Sequence, residues 1–485
     1  MPGTPLSSPH FLSPLDHIFA QFNPCYYLYF RSACPENVQS HLQRGLDKLL
    51  RQSPFIAGEI VRCEEDDTNP KGLLRIQQLT DDEDDTPILQ FREDQTLSID
   101  RISNAKTRTG IEDALLAKRL AAMAMMPNPS QRQYVVRFVA TIVSDGLILT
   151  MSFSHWAFDA TGAASLLQDL AECCREGGTT SNRLPDKGLR QEIWAMKSDV
   201  KYTAEHERTL GPPETSSPPP NDMEKIVEGM VENAMVWRWN IPAFKVALLK
   251  AACTSLLSDQ RPEIDDPSVQ YLSSLDVLTG YLTCCMQEAQ GETAQKSGVG
   301  IPVNLRERLT PSFPPEYKGN FVTYATVNCP PPATAYDVAW AQSLLEKKFP
   351  AFKLPAADLT SIYRNASAVR STILTFTDEY VRSFIAWLKS QQDLDQMRIK
   401  FPVMNFTSWR HLGIYDLDFG APLGIVDDIQ PHGFIPSCGL IMPKRNQRLG
   451  KRTDSDTDWE VVLYLTREEY SRLRKSELVR FLVDE

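Results

Sequence analysis

One histidine and one aspartate lie four residues apart in the segment SFSHWAFDATG, which runs from Ser152 to Gly162. An imidazole has an unperturbed pKa of about 6.5 and can therefore accept a proton near neutral pH. From the end of a strand, His155 could deprotonate an alcohol or an amine, and the nucleophile formed could attack an electrophile such as a thioester. The tetrahedral oxyanion would then require a hydrogen-bond donor.

The same spacing is compatible with a purely structural role. His-x-x-x-Asp arises by chance in many sequences, and an aspartate that precedes a helix is a common N-cap. The chain has no Gly-x-Ser-x-Gly elbow, His-Glu-x-x-His zinc helix, phosphate-binding loop or Gly-x-Gly-x-x-Gly motif. His155 and Asp159 are therefore the catalytic candidates, with the structural role as the alternative.

A strand hairpin and a helix are predicted to position this pair. QYVVRFVATIV and LILTMSFS are typical of strands, and Ser144-Asp145-Gly146 between them predicts a hairpin turn. After His155, the apolar residues of GAASLLQDLAECCRE recur with helical spacing. We therefore expect His155 at the end of a strand and Asp159 at the start of a helix.

The composition limits the classes of protein that remain. The chain has 485 residues and a formal net charge of −11, which argues against a general nucleic-acid-binding protein. No apolar run is long enough for a membrane span, and the N-terminus lacks the pattern of a signal peptide. None of the ten cysteines belongs to a Cys-x-x-Cys pair, so we expect free thiols in a cytoplasmic protein and no metal site.

A change of composition divides the chain, which is too long for one compact core. Residues 176–223 are rich in Gly, Pro and Ser and predict a crossover linker. Residues 1–175 and 224–485 mix helix and strand patterns, which predicts two α/β domains. A strand near 401–409 is expected to pack on the first domain, and REEYSRLRKSELVRFL is predicted to close the chain as one helix.

Six segments resemble, in order, the motifs of the BAHD family of CoA-dependent acyltransferases. SHWAFDATG is similar to the family's His-x-x-x-Asp-Gly motif, and LDFGAPLG to its Asp-Phe-Gly-Trp-Gly motif. The other four are LSPLDHIF, SSLDVLTGYL, IPVNLRERLTPSFPPEYKGN and NFTSW. The resemblance spans nearly the whole chain and is greatest to fungal members that acylate hydroxyls of secondary metabolites, such as the trichothecene 3-O-acetyltransferases.

The resemblance implies a fold and an activity. The fold would be α/β, with two chloramphenicol-acetyltransferase-like domains joined by a crossover and a channel between them. The activity would be CoA-dependent O-acyl transfer, with acetyl as the acyl group, made directly within a ternary complex. Acetyl-CoA or another acyl-CoA is then a co-substrate, no cofactor is permanently bound, and the acceptor is a small-molecule alcohol. A monomer without nucleic-acid or membrane partners is expected.

The resemblance also assigns roles to the candidate residues. His155 would be the general base, and Asp159 a structural support that pairs with an arginine of the other domain. Arg306 is the matching arginine, with Arg308 as the fallback. The residues expected around the CoA channel are Ser273, Ser274, Asn304, Arg306, Asp418 and Gly420.

Three further sets of positions follow from the same motifs. Thr407 and Trp409 match the family's Thr-Ser-Trp and are expected at the channel wall, where the Thr407 hydroxyl could donate to the oxyanion. FNPCYYLYF, residues 22–30, predicts a strand with alternating faces. In plant-type members the matching strand lines the acceptor pocket, so the acceptor-binding candidates are Asn23, Cys25 and Tyr27. The alternative is that this face belongs to the core.

Two departures from the family pattern keep other functions open. Ala160 occupies the position of the family glycine, with Gly162 two residues later, and Ala421-Pro422 replaces Trp-Gly in the second motif. The second change leaves a non-catalytic binding protein of this fold as an alternative. His155 would also serve an amine, so an N-acyltransferase or condensation-type enzyme is a further alternative. Condensation domains, however, usually carry a second histidine where this chain has Ser154.

Overall fold

A computed structural model describes residues 10–31, 37–64, 69–79, 86–128, 130–175, 186–200, 210–211, 228–259, 267–291, 298–432, 436–445 and 457–483. The strands are β1 His10–Phe11, β2 Cys25–Phe30, β3 Glu59–Arg62, β4 Leu74–Gln77, β5 Leu89–Asp94, β6 Thr107–Thr109, β7 Val136–Val143, β8 Gly146–Phe153, β9 Leu210–Gly211, β10 Ala234–Ile241, β11 Val299–Asn304, β12 Val322–Val327, β13 Arg398–Ile399, β14 Met404–Ser408, β15 Asp428–His432, β16 Cys438–Ile441 and β17 Trp459–Thr466. The helices are α1 Val38–Gln52, α2 Ile99–Ser103, α3 Gly110–Leu120, α4 Ala160–Cys174, α5 Asp186–Ala195, α6 Ala243–Ser258, α7 Ser274–Gln290, α8 Ala335–Lys348, α9 Ala356–Leu374, α10 Asp378–Lys389, α11 Arg467–Leu473 and α12 Glu477–Leu482.

Two sheets form the framework of the molecule. One has five strands in the order β15-β2-β8-β7-β5, and the other has seven in the order β12-β11-β14-β16-β17-β10-β6. The predicted hairpin is confirmed, because β7 and β8 pair from Val136 with Phe153 to Val143 with Gly146. Successive side chains of a strand point to opposite faces, and β2 and β8 are buried on both: every residue of β2 and every residue of β8 after Gly146 is buried.

Each sheet contains one strand from the other half of the chain. β15 pairs antiparallel with β2 in the first sheet, and β6 pairs antiparallel with β10 in the second. The strand expected near 401–409 is β14, which lies between β11 and β16 in the second sheet. Trp409, which follows β14 directly, packs against Tyr26 of the first half. The packing of β14 itself on the first domain stays a prediction, since an alternating pattern determines the faces of a strand but not the sheet that it joins.

The apolar core is shared between the two halves. Its largest cluster combines Leu28, Leu149 and Leu166 of the first half with Leu440 and Tyr464 of the second. A second cluster lies between the seven-stranded sheet and helices α6, α7 and α9. The boundary between the halves is therefore itself part of the core.

The crossover predicted at 176–223 lies largely outside the described residues, and its described part includes a docked helix. Helix α5 buries Leu189 and Ile193 in the shared cluster, and Arg190 is 0% exposed.

The closing segment forms two helices rather than the single helix predicted, because the Ser476 side chain accepts from the backbone N–H of Val479 and begins a second helix. In the described part of the chain, no helix has both the length and the apolar character to span a membrane.

Gly162 gives a test of how closely the halves pack. A Cβ added there would lie 1.8 Å from the carbonyl oxygen of Lys318, whereas a Cβ at Gly188 in α5 would meet nothing within 4 Å. We expect Gly162→Ala to lower the free energy of unfolding by about 1–3 kcal/mol, because the backbone of Lys318 must move. Gly188→Ala should be neutral or stabilising by about 0.5–1 kcal/mol. Denaturant unfolding measures both, and equal effects would contradict the close approach.

Candidate active site

His155 lies two residues after the end of β8, the central strand of the first sheet, as the sequence predicts. Its backbone N–H donates to the carbonyl of Phe22 at 3.0 Å, and the indole N–H of Trp156 donates to the carbonyl of Phe19 at 3.0 Å. The turn that carries His155 is therefore fixed to the segment that leads into β2.

Two aromatic rings enclose the imidazole of His155. Its ring centroid lies 4.4 Å from that of Phe19 and 4.7 Å from that of Phe22. Its Nδ1 is buried and has no hydrogen-bond partner among the described residues. Burial lowers the pKa of His155 below its usual value, although contact with its own backbone and the charge of Asp159 oppose the shift. The lowered pKa favours the neutral imidazole at neutral pH.

Asp159 caps helix α4 and is held by donors on both carboxylate oxygens. Oδ1 accepts from the backbone N–H of Gly162 at 2.7 Å and Oδ2 from that of Phe321 at 2.9 Å. The Arg306 guanidinium donates to both oxygens, at 2.8 and 3.1 Å. The structure thus pairs Asp159 with Arg306 rather than with Arg308. A buried carboxylate with four donors has no lone pair directed at a substrate.

The segment 306–321 of the second half lies across the first half and is held there by aspartates. Asp169 binds Nζ of Lys318 at 2.8 Å, and Asp186 accepts from the backbone N–H of Lys318 at 3.3 Å. Asp16 accepts from both the backbone and the side-chain N–H of Asn320, at 2.9 and 2.8 Å. Together with Asp159, these contacts join the two halves on one side of His155.

The two residues of the Thr-Ser-Trp motif differ in environment. Thr407 is half-buried near the end of β14, opposite Leu440 of the shared core. Trp409 is buried, and its ring centroid lies 4.8 Å from that of Tyr26. The indole is therefore a packing residue between the halves, and the expectation of a channel-wall residue rests on Thr407.

The residues expected around CoA are not brought together. Asn304 is exposed and donates to Thr161 Oγ1 at 3.4 Å, beside the start of α4. Ser273, by contrast, caps α7: its hydroxyl accepts from the Asp276 backbone N–H, and its own backbone N–H donates to the Asp276 carboxylate. Ser274 is the first residue of that helix. Asn304 and Arg306 are thus near Asp159, whereas the two serines begin a helix of the second half.

The loop of the second motif packs on the first half. Asp418 accepts from the backbone N–H of Gly420 at 2.8 Å, and Gly420 has a φ of 69°, which favours glycine. Nε2 of His41 in α1 donates to the carbonyl of Phe419 at 2.7 Å, and the Phe419 ring packs against Phe30. Asp418 and Gly420 therefore determine the shape of this loop. Their contacts do not bring either residue to His155.

The acceptor candidates are buried beneath the first sheet. Asn23 donates to the carbonyl of Ala124 at 2.9 Å, and the thiol of Cys25 contacts the hydroxyl of Ser152 at 3.3 Å. Tyr27 is 0% exposed, yet its hydroxyl has no hydrogen-bond partner in the part of the chain that the structure describes. The Tyr27 hydroxyl is thus a fully buried polar group without a partner among the described residues.

An open groove of about 340 Å³ lies between α4 and the loop that follows β14. Its lining includes Thr161 and Ala164 of α4, Glu316 of the 306–321 segment, and Leu412 and Leu417 of the loop. The groove thus runs along the boundary between the halves, close to Asn304. His155 is not among its lining residues.

Sequence reasoning missed several residues that surround His155. Phe19, Asp16 and Asn320 lie in or beside segments recognised as motifs, but no pattern assigned them a contact with the catalytic turn. Arg190 lies within the segment interpreted as a linker, where the Gly- and Pro-rich composition concealed a short helical pattern. Contacts that bridge distant segments leave no local signal.

Comparison with known proteins identifies the family. Residues 18–174 match the model of the trichothecene 3-O-acetyltransferase-like N-terminal domain, and residues 108–338 match that of the transferase family. The chain is 43% identical over 483 residues to the O-acetyltransferase andG of Emericella variicolor, covering 99% of both chains. The chain belongs to the BAHD acyltransferases. It is also 29% identical to the fumigaclavine B O-acetyltransferase easN of Aspergillus fumigatus, over 94% of each chain.

The fold agrees with this membership of the BAHD family. The trichothecene acetyltransferase TRI101 of F. graminearum, solved with coenzyme A and deoxynivalenol, superposes with a TM-score of 0.73 over 99% of both chains at 16% identity. The predicted α/β fold of two chloramphenicol-acetyltransferase-like domains is thereby confirmed.

The Asp159–Arg306 pair leads to a stability prediction. Asp159→Ala would leave a buried guanidinium without its carboxylate and the α4 terminus without its cap, so we expect a loss of about 3–5 kcal/mol in the free energy of unfolding. Glu468→Ala removes one partner of the exposed pair with Arg472 and should cost less than about 1 kcal/mol. Denaturant unfolding compares the two variants. Loss of activity by Asp159→Ala without any loss of stability would instead indicate a direct catalytic role.

Proposed function

We propose that the protein transfers an acetyl group from acetyl-CoA to a hydroxyl of a secondary metabolite, with His155 as the general base. The observation that carries the assignment is the neutral imidazole at the end of β8, with its Nδ1 enclosed and its pKa lowered by burial. Asp159, the neighbouring acid, is fully occupied by donors. The names of the curated relatives support O-acetylation.

The reaction needs no metal and no acyl-enzyme. Nε2 of His155 takes the proton of the acceptor hydroxyl as its oxygen attacks the thioester carbonyl carbon. The C–O bond forms, and the negative charge on the carbonyl oxygen requires a donor, for which we propose the hydroxyl of Thr407. Collapse of this intermediate breaks the C–S bond, and the thiolate recovers the proton from the imidazolium. The products are an ester and the CoA thiol.

The donor and acceptor sides of the site are also proposed. Among the residues expected around CoA, Asn304 has the best-placed side chain, because it is exposed beside the α4 terminus and the groove at the boundary between the halves. For the acceptor, the hydroxyl of Tyr27 is the strongest candidate.

We further propose that the protein acts as a monomer in the cytoplasm. One chain supplies both Asp159 and Arg306, and no disulfide joins the cysteines that the structure describes.

The catalytic role of His155 is tested by substitution. We expect His155→Ala to lower turnover by about 10²–10⁴-fold, because no other base has been placed by motif and geometry. His155→Gln should be equally impaired, since an amide preserves polarity but cannot accept the proton. Thiol release from acetyl-CoA, measured across a panel of hydroxylated metabolites, gives the rates, and circular dichroism checks the fold. A folded variant with wild-type turnover would refute the mechanism.

Tyr27 and Tyr29, two of the three buried tyrosines of β2, provide a matched test of the acceptor site. If the Tyr27 hydroxyl contacts the acceptor, Tyr27→Phe should raise the acceptor KM or change which hydroxyl is acylated, and leave the acetyl-CoA KM unchanged. Tyr29 lies on the same face, but its hydroxyl donates to Gln430 at 2.6 Å. Tyr29→Phe should therefore cost about 1 kcal/mol of stability and leave the acceptor KM unchanged.

An unchanged acceptor KM in Tyr27→Phe, together with higher stability, would assign this face to the core. Removing a buried hydroxyl that has no partner would relieve its desolvation cost in that case.

A further inference from the structure

A second histidine is bonded to an aspartate, on the face of the first sheet that carries Tyr27. Nδ1 of His432, at the end of β15, lies 2.6 Å from a carboxylate oxygen of Asp113 in α3. The other oxygen of Asp113 accepts from the guanidinium of Arg108 in β6 at 3.0 Å. The three residues come from segments that are distant in sequence, and the mechanism proposed for His155 uses none of them.

The contact with Asp113 determines which nitrogen of His432 is left over. Burial raises the pKa of Asp113, but His432 and Arg108 together hold it below its usual value. An ionised carboxylate can only accept hydrogen bonds, so Nδ1 of His432 carries the proton. Nε2 has no hydrogen-bond partner among the described residues, although the side chain is only 11% exposed. One nitrogen of a largely buried ring is therefore available to a ligand.

Neighbouring side chains of the same face also carry polar groups without partners. His432 lies opposite Cys25 in the β15–β2 ladder, and Tyr27 lies opposite Thr150 in the β2–β8 ladder. The rings of His432 and Tyr27 stack with their centroids 6.1 Å apart. The hydroxyls of Tyr27 and Thr150 are buried, and neither has a partner in the part of the chain that the structure describes. Buried polar atoms are nearly always paired, so these groups are ones that a bound molecule can satisfy.

Two adjacent contacts show how a closed arrangement looks on this face. The hydroxyl of Tyr29 donates to Gln430, its diagonal neighbour on β15, at 2.6 Å. The thiol of Cys25 contacts the hydroxyl of Ser152, directly opposite on β8, at 3.3 Å. Side chains at these positions can therefore satisfy one another across the strands, and Tyr27 and His432 do not.

The strand register places His432 within reach of the catalytic turn. The backbone N–H of His155 donates to the carbonyl of Phe22, which precedes Cys25 by three residues, and His432 lies one strand across from Cys25. Three residues along a strand and one strand across amount to about 11 Å between the two backbones. A molecule of several fused rings has this length.

We propose that His432 is a specificity-determining residue whose Nε2 binds a second hydroxyl of the acceptor, at the end of the molecule opposite to the hydroxyl that is acylated. This inference rests on the proposed function and on its acceptor site at Tyr27. It narrows the substrate class to rigid, multi-ring diols. A hydroxyl suits the site because it can bond to Nε2 whether or not that nitrogen carries a proton.

The substitution His432→Asn removes Nε2 and keeps a donor for Asp113, because the asparagine amide nitrogen takes roughly the place of Nδ1. We expect the acceptor KM to rise about tenfold, the effect of losing one hydrogen bond, and the acetyl-CoA KM to stay within about twofold. An acceptor without its distal hydroxyl should show the same loss with the wild type and no further loss with the variant. Thiol release gives these constants. An unchanged acceptor KM in the folded variant would overturn the proposal.

His10 provides the matched control. It is also a buried histidine bonded to an aspartate, with Nε2 3.3 Å from Asp186, but its ring packs against Phe55 and not on the face of Tyr27. His10→Gln keeps a group at the bonded nitrogen and removes the other one, as His432→Asn does. It should leave the acceptor KM unchanged. An equal rise in both variants would indicate a general loosening of the fold and would contradict a specific role of His432.

Binding can also be followed at His432 itself, without an assay of activity. Histidine-selective ¹⁵N labelling and two-dimensional NMR report on each ring nitrogen, with the His432 signals assigned by their loss in His432→Asn or His432→Gln. We expect Nδ1 to carry a proton, and the Nε2 signal to move when CoA and a panel of polycyclic diols are added. An Nε2 signal that no diol moves would overturn the proposal. If the wild type transferred no acyl group, the proposed function would fail, yet a moved Nε2 signal would still support this binding site.

Discussion

The buried ion pair between Asp159 and Arg306 is the contact on which the site depends. Burying two charges is costly, and the pair is stable only because donors satisfy all of the carboxylate. Those donors come from the helix that follows the catalytic turn and from the second half of the chain. One contact therefore sets the start of α4, the docking of the 306–321 segment and, through both, the place of His155. Asp159 therefore has a structural role beside His155, since its carboxylate is fully bound by donors.

Around this pair, the structure separates the groups that react from the groups that orient. His155 lies between two phenylalanine rings, with its pKa lowered by burial, so it is neutral when the acceptor arrives. The charged residues Asp16, Asp159, Arg190 and Arg306 are paired among themselves and bind mainly backbone groups of the turn and of the 306–321 segment. Fixed charges are thereby kept close enough to shape the turn, while the imidazole itself carries no charge.

Motifs predicted the parts of the site that are encoded in short segments. His155 after a strand, Asp159 at a helix start and its partner Arg306 all follow from spacing and resemblance. Asn320, Asp16 and Arg190 did not emerge, because the partners that link them to the turn and to one another lie between 33 and 304 residues away in the sequence. The exchange of β6 and β15 was missed for the same reason, since strand periodicity does not specify a neighbour. Trp409 was expected at the channel wall because it matches a motif, but its side chain is buried between the halves. A motif match does not say whether a side chain faces a channel or the core.

The exchange of strands has a consequence for how the protein is made. β2, a central strand of the first sheet, is paired on one side by β15, which begins at residue 428 of 485. Throughout most of synthesis on the ribosome, therefore, that side of β2 has no partner and presents free N–H and C=O groups beside apolar side chains, a template for pairing with other chains. The first half therefore cannot complete its sheet as an independent domain. The exposed edge of β2 needs protection for as long as the ribosome takes to reach β15.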